Sequence, residues 1–152
     1  MNHFGFNSPP LGAGKFILQK FENQMLTLDE VLSDAASSPG FDGVEKVDVN
    51  SRGRDGQTPL HWMATLGDLK GIRLLIRAGA EIDAQDCHGN TSLHEAVSWR
   101  HSTAVRLLLE YGANENIRNS AGHSAKDAAL SDAFAPTVEL FGSNGSNGSG
   151  SN

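Results

Sequence analysis

The 152-residue chain has a single cysteine, Cys87, so no intrachain disulfide can form and an oxidising compartment gains no support. It has no apolar run near the length needed to cross a bilayer,. Its first residues lack a basic start followed by a long apolar core, so a secretory signal is not expected and a cytoplasmic address follows,. Positive charge is scarce: 12 Lys and Arg stand against 18 Asp and Glu, a formal net charge of −6. That deficit disfavours sequence-independent binding to nucleic acid or to anionic membrane. It tilts any electrostatic preference toward a basic partner. Among the 6 histidines none has H-x-x-x-H or H-E-x-x-H spacing, so neither a metal nor another cofactor is expected. What remains is a globular mix, 38% hydrophobic and 20% charged, long enough for one domain,.

The chain repeats itself. Asp55-Gly56-Gln57-Thr58-Pro59-Leu60-His61 recurs as His88-Gly89-Asn90-Thr91-Ser92-Leu93-His94, and more weakly as Ala121-Gly122-His123-Ser124-Ala125-Lys126-Asp127. The period is about 33 residues. Leu74-Leu75-Ile76 matches Leu107-Leu108-Leu109, and Gly79-Ala80 matches Gly112-Ala113. Each repeated residue has a local reason. Thr58 and Thr91 suit a helix N-cap, and Pro59 suits the first helical position. Leu60, Met63 and Ala64 then share one side of a short helix ended by Gly67. Leu69, Ile72, Leu75 and Ile76 make a second amphipathic helix, stopped by a left-handed Gly79. Asp83 to Gly89 is a turn-rich connection. The unit is helix, turn, helix, protruding loop.

These residues resemble the ankyrin repeat, with its G-x-T-P-L-H opening and later L-L-x-x-G-A. The match is nearly complete from Gly56 to Ala84, strong from Gly89 to Asn116, and weak from Gly122 to about Phe141. Upstream, Val47-Asp48-Val49-Asn50 resembles the end of a preceding unit, whose first half is a helix from Thr27 to about Ala36. Thr27-Leu28-Asp29-Glu30 has capping-box spacing, while Pro39-Gly40 breaks the second helix early. The resemblance implies an all-α solenoid of about four stacked helix-turn-helix units, with the terminal units degenerate as caps. The expected organisation is an N-terminal arm or accessory helix (1–23) and a repeat domain (24–141), then a flexible Gly/Ser/Asn tail (142–152) with the composition of an expression scar,. Within the domain a degenerate unit (24–50) precedes full units (51–83 and 84–116) and a capping unit (117–141).

Other motifs have simpler readings. In the ankyrin pattern the histidine at His61 and His94 is structural and hydrogen-bonds the backbone of an adjoining loop. Gly12-Ala13-Gly14-Lys15 is similar to a phosphate-binding loop but has Pro9 and Phe16 where glycine and a hydroxyl are needed,. Cys87 beside His88 on a turn tip implies no pocket, so no catalytic residue is assigned. Glu81, Asp83, Glu110 and Glu115 read as solvated surface.

Ankyrin repeats usually grip a protein partner with their loop tips and the exposed side of the first helix, which together line a concave surface. Carried over by position, the loop residues are Arg52, Arg54, Asp55, Gln57, Cys87, His88, Asn90, Ser120 and His123. The helix residues are Trp62, Thr65, Leu66, Glu95, Ser98 and Trp99, with Tyr111 at the end of a second helix. Trp99 is the strongest of these, because tryptophan is the residue most enriched at binding hot spots. The implied function is non-enzymatic binding of one protein, with the free chain monomeric. A small inhibitor of immunity type is favoured by size and acidity; an adaptor or regulatory subunit is the alternative. An enzyme or small-ligand binder using the histidines and Cys87 is the rival from another class.

Overall fold

Helix starts in this chain are made by hydroxyl caps, and the first shows how. The Thr27 amide donates to Glu30 Oε2 at 2.7 Å, and the Glu30 amide donates to Thr27 Oγ1 at 3.3 Å. This reciprocal pair opens α1 (Leu28–Ala36),. The computed structural model describes residues 26–132 and 138–141; the expectations for the arm, the glycine-rich Gly12–Lys15 stretch and the tail lie outside them. After α1 the chain forms a 3-10 turn, Pro39–Phe41, in place of a second helix. Proline disfavours a helical backbone at the residue before it and removes an amide donor, and Ser38 is accordingly extended. Phe41 still buries itself there with Ala35 and Val47.

Two helix pairs follow: α2 (Pro59–Leu66) with α3 (Leu69–Arg77), then α4 (Ser92–Ser98) with α5 (Ser102–Glu110). A final α6 (Ala125–Asp132) precedes a helical stretch at 138–141. No β-strand occurs among the described residues, which hold one isolated bridge, Arg118 with Ser124. First helices pack on first helices (α2 on α4, α4 on α6), and α3 packs on α5. α1 touches both α2 and α3. The result is the helical-repeat solenoid implied by the sequence.

One continuous core runs between the rows. Leu60, Met63, Ile72, Leu75, Leu93, Val105 and Leu108 are buried in it, and Phe141 is buried in the same cluster. Full burial of such a side chain contributes about 1.5–3 kcal/mol, and a single helix pair cannot cover its apolar faces without a neighbouring unit.

Each helix pair turns on a left-handed residue. Gly67 (φ 70°) fills that position between α2 and α3. The equivalent position between α4 and α5 is Arg100 (φ 61°), the sole non-glycine residue with positive φ among the described residues. A left-handed conformation costs an L-residue about 1–2 kcal/mol, so the second pair carries strain that the first avoids.

Candidate functional site

The loops between units are built by side chains that recur at the repeat period. Asp86 is buried, and its Oδ1 accepts the amides of His88 and Asn90, both at 2.9 Å. Asn119, one unit on, does the same for Ala121 and His123, both at 3.0 Å. Successive loop tips then bond edge to edge. The Arg54 amide donates to the Gly40 carbonyl at 2.7 Å, that of Cys87 to Asp55 at 2.9 Å, and that of Ser120 to His88 at 2.9 Å. Backbone groups are consumed in this ladder, while the side chains of Asp55, Cys87, His88, Ser120 and His123 remain exposed.

The two equivalent histidines join helix to loop. The Thr58 amide donates to His61 Nδ1 at 3.1 Å, and His61 Nε2 lies 2.8 Å from the Asn90 carbonyl. His94 repeats this with the Thr91 amide at 3.1 Å and the His123 carbonyl at 3.0 Å. An amide can only donate, so Nδ1 is the acceptor and the ring proton sits on Nε2. Both nitrogens of both rings are therefore occupied and neither can ligate a metal. Burial is the main influence and lowers both imidazoles from their ordinary range, favouring this neutral form,. Among the described residues no three His, Cys, Asp or Glu gather in a group that could hold a metal ion.

In the last unit Asp127 stands where the histidine would be. Its Oδ2 accepts the Ser124 amide at 3.1 Å, and its amide donates to Ser124 Oγ at 3.1 Å. Those bonds to Ser124, reinforced by Arg118 at 2.9 Å, hold its carboxyl below the usual range,. The short side chain completes its own cap and, among the described residues, bonds only Ser124 and Arg118.

The residues named from the sequence divide into two groups. Arg52 stitches units together: its guanidinium donates to the carbonyls of Gly56 at 3.1 Å and Gln85 at 2.8 Å. Gln85, at the equivalent place, bonds the carbonyls of Gly89 and Arg118 at 2.9 and 3.3 Å, and Arg118 in turn bonds that of Gly122. Asn90 is drawn into the same network, accepting from Asn119 Nδ2 at 3.0 Å. Trp62 and Tyr111 are partly buried against the core, and Gln57 is half-buried with its carbonyl bound to the Gly53 amide. Arg54 is exposed and pairs with Asp42 at 3.5 Å. Three of the acidic residues read as solvated surface also make contacts, Glu81 while remaining exposed. Glu81 pairs with Arg52 at 3.8 Å, Asp83 accepts the Asn114 amide at 2.8 Å, and Glu115 pairs with Lys126 at 3.5 Å.

The second group lies along the first helices. Leu66 and Trp99 occupy equivalent ends of α2 and α4 and are 47% and 59% exposed, although burying them would release apolar surface from water. Ser98, beside them, lines a shallow cleft with Val97, Arg100 and Ala128. Thr65 Oγ1 donates to the His61 carbonyl at 3.0 Å and lies 3.4 Å from Glu95 Oε2. The Trp99 amide donates to the Glu95 carbonyl at 3.0 Å, which sets the indole one helical turn from the carboxylate. Desolvation, then the charge of Asp86, raises the Glu95 carboxyl above the ordinary range, against smaller lowering influences from its polar neighbours,.

A family model described as ankyrin repeats (3 copies) matches residues 32–119. The chain belongs to the ankyrin-repeat family. Ankyrin repeats are generally protein–protein interaction modules and typically non-catalytic. No curated protein matches the chain. No helix among the described residues is long and apolar enough to cross a membrane. The ankyrin pattern was legible in Thr58, His61, Thr91 and His94; Asp86, Asn119, Gln85 and Arg118 were missed as loop builders. Their signal is also periodic, since 52, 85 and 118 keep the same step, as do 86 and 119.

Proposed function

We propose that the chain is a small non-catalytic module that holds one protein partner on the face formed by its loop tips and first helices. The pair Leu66 and Trp99 carries this reading. Both are large, apolar and about half exposed, at equivalent positions where a helical repeat needs no apolar side chain. Tryptophan in a central, desolvated place is the commonest kind of binding hot spot. The exposed tips of Asp55, Cys87, His88, Ser120 and His123 supply the polar rim around such an anchor. The net charge of −6 favours a basic partner, and with it a dedicated inhibitor, including an immunity-type protein, over an adaptor.

The test is a tagged pulldown from the native host with wild type and Trp99→Ala in parallel. One stoichiometric protein captured by wild type and lost by the folded variant is the expected result. Capture of the same set by both would sink the reading. Inhibition of the captured protein's activity, weakened by salt, supports the inhibitor role; capture without inhibition points to an adaptor.

A further inference from the structure

Glu95 occupies a place that the repeat otherwise gives to apolar residues: Trp62 one unit earlier and Ala128 one unit later. Its side chain is half-buried on α4. The Thr65 hydroxyl lies 3.4 Å from it with its proton directed to the His61 carbonyl, and Trp99, whose amide donates to the Glu95 carbonyl at 3.0 Å, stands one helical turn away. An ionised carboxylate offers about four acceptor positions, so its capacity is not filled. Asp86 adds negative charge nearby, and the exposed imidazole of His88 acts in the opposite sense. No lysine or arginine forms an ion pair with Glu95 among the described residues. A partly desolvated anion without a cation is costly to maintain in a free protein. Beside it stands the exposed indole of Trp99, with Leu66 exposed one residue beyond Thr65.

We propose that Glu95 and Trp99 together form the receptor for one arginine side chain of the protein partner. This rests on the binding face described above and names the chemistry of its central contact. Guanidinium fits on three counts. Its planar fork can donate two parallel hydrogen bonds to the carboxylate. Its face stacks on indole. Its aliphatic stem covers apolar surface such as Leu66. A lysine ammonium matches the charge but neither the fork nor the stack. The chain's negative charge draws a basic surface toward this face before the contact forms.

A random peptide library panned on the immobilised full chain tests this, with wild type, Glu95→Gln and Trp99→Ala run in parallel and each checked for folding by circular dichroism. Wild type is expected to select peptides with arginine at one fixed position, and Glu95→Gln to lose that selection. In a synthetic winning peptide, exchanging the arginine for neutral citrulline is expected to weaken binding to wild type by about tenfold or more. The same exchange is expected to change binding to Glu95→Gln by less than about twofold. Peptides that require Trp99 but carry no fixed arginine, or that bind Glu95→Gln equally well, overturn the arginine assignment and leave the binding face intact. Peptides indifferent to Trp99→Ala, or no enrichment at all, overturn both.

Discussion

His61 Nε2 lies 2.8 Å from the carbonyl oxygen of Asn90, which belongs to the loop of the following unit. Its other nitrogen accepts the Thr58 amide at the start of its own helix. One buried side chain thus caps a helix and anchors the neighbouring loop. The neutral ring with its proton on Nε2 is the form that does both.

Replacing this ring is therefore expected to be expensive. His61→Ala leaves the buried Thr58 amide without its acceptor and opens a cavity in the core, for a loss of about 2–4 kcal/mol. Urea unfolding measures it. A loss no larger than that of an ordinary surface substitution, within about 0.5 kcal/mol, would show that the bond contributes little.

Acid is expected to weaken the fold through the same residues. Burial holds His61 and His94 below their ordinary value of 6.5, so the folded chain binds fewer protons than the unfolded one as pH falls through 6.5. Stability is then full above that value and declines as pH drops toward the folded-state values. Glu95 acts in the opposite direction, because its carboxyl is raised above 4.5; its contribution grows as pH falls and partly masks the loss. Urea midpoints measured from about pH 7.5 to about pH 5.5 are expected to fall. A flat profile would contradict the histidine assignment.

Two left-handed positions are expected to respond differently to substitution. Gly79 has φ 99°, and an added Cβ would meet nothing within 4 Å, so the backbone alone resists substitution there. Gly79→Val is expected to cost about 1–3 kcal/mol. Arg100, at φ 61°, already bears such strain; Arg100→Gly relieves it but removes the interaction its side chain makes, so the variant is expected to lie within about 1 kcal/mol of wild type. Thermal unfolding of the two variants beside wild type separates these outcomes.

Arg52 and Arg54 look alike in the sequence and are expected to behave differently. Arg52 makes two hydrogen bonds to loop carbonyls, whereas Arg54 offers a pair with Asp42 in which the side chains are 68% and 77% exposed. Arg52→Ala is expected to cost about 1 kcal/mol, a charged hydrogen-bond contribution discounted for solvent screening. Arg54→Ala is expected to stay within about 0.5 kcal/mol. Equal losses in urea would mean that the inter-unit bonds of Arg52 add nothing to an exposed pair.

Local rules made much of the fold legible before any coordinates. Capping residues, proline and glycine act within a few positions of themselves, so Thr27, Pro39, Gly67 and Gly79 announced helix starts and stops that the structure bears out. The structural role of His61 and His94 was legible too, through the repeat pattern. Arg100 was not, because arginine does not signal a left-handed backbone; only comparison with Gly67 one period earlier reveals the requirement.

The sequence by itself determined the repeat, its period, the helix caps and the apolar stripes, since each is written in spacings of a few residues or in the step of about 33. Tertiary structure alone decided how the polar residues are spent. Whether Arg52 faces a partner or ties two loops depends on a carbonyl at Gln85, and the environment of Glu95 depends on Thr65 in the helix packed beside it. Such contacts arise when units stack, and stacking brings together groups whose distance along the chain carries no local signal of their meeting.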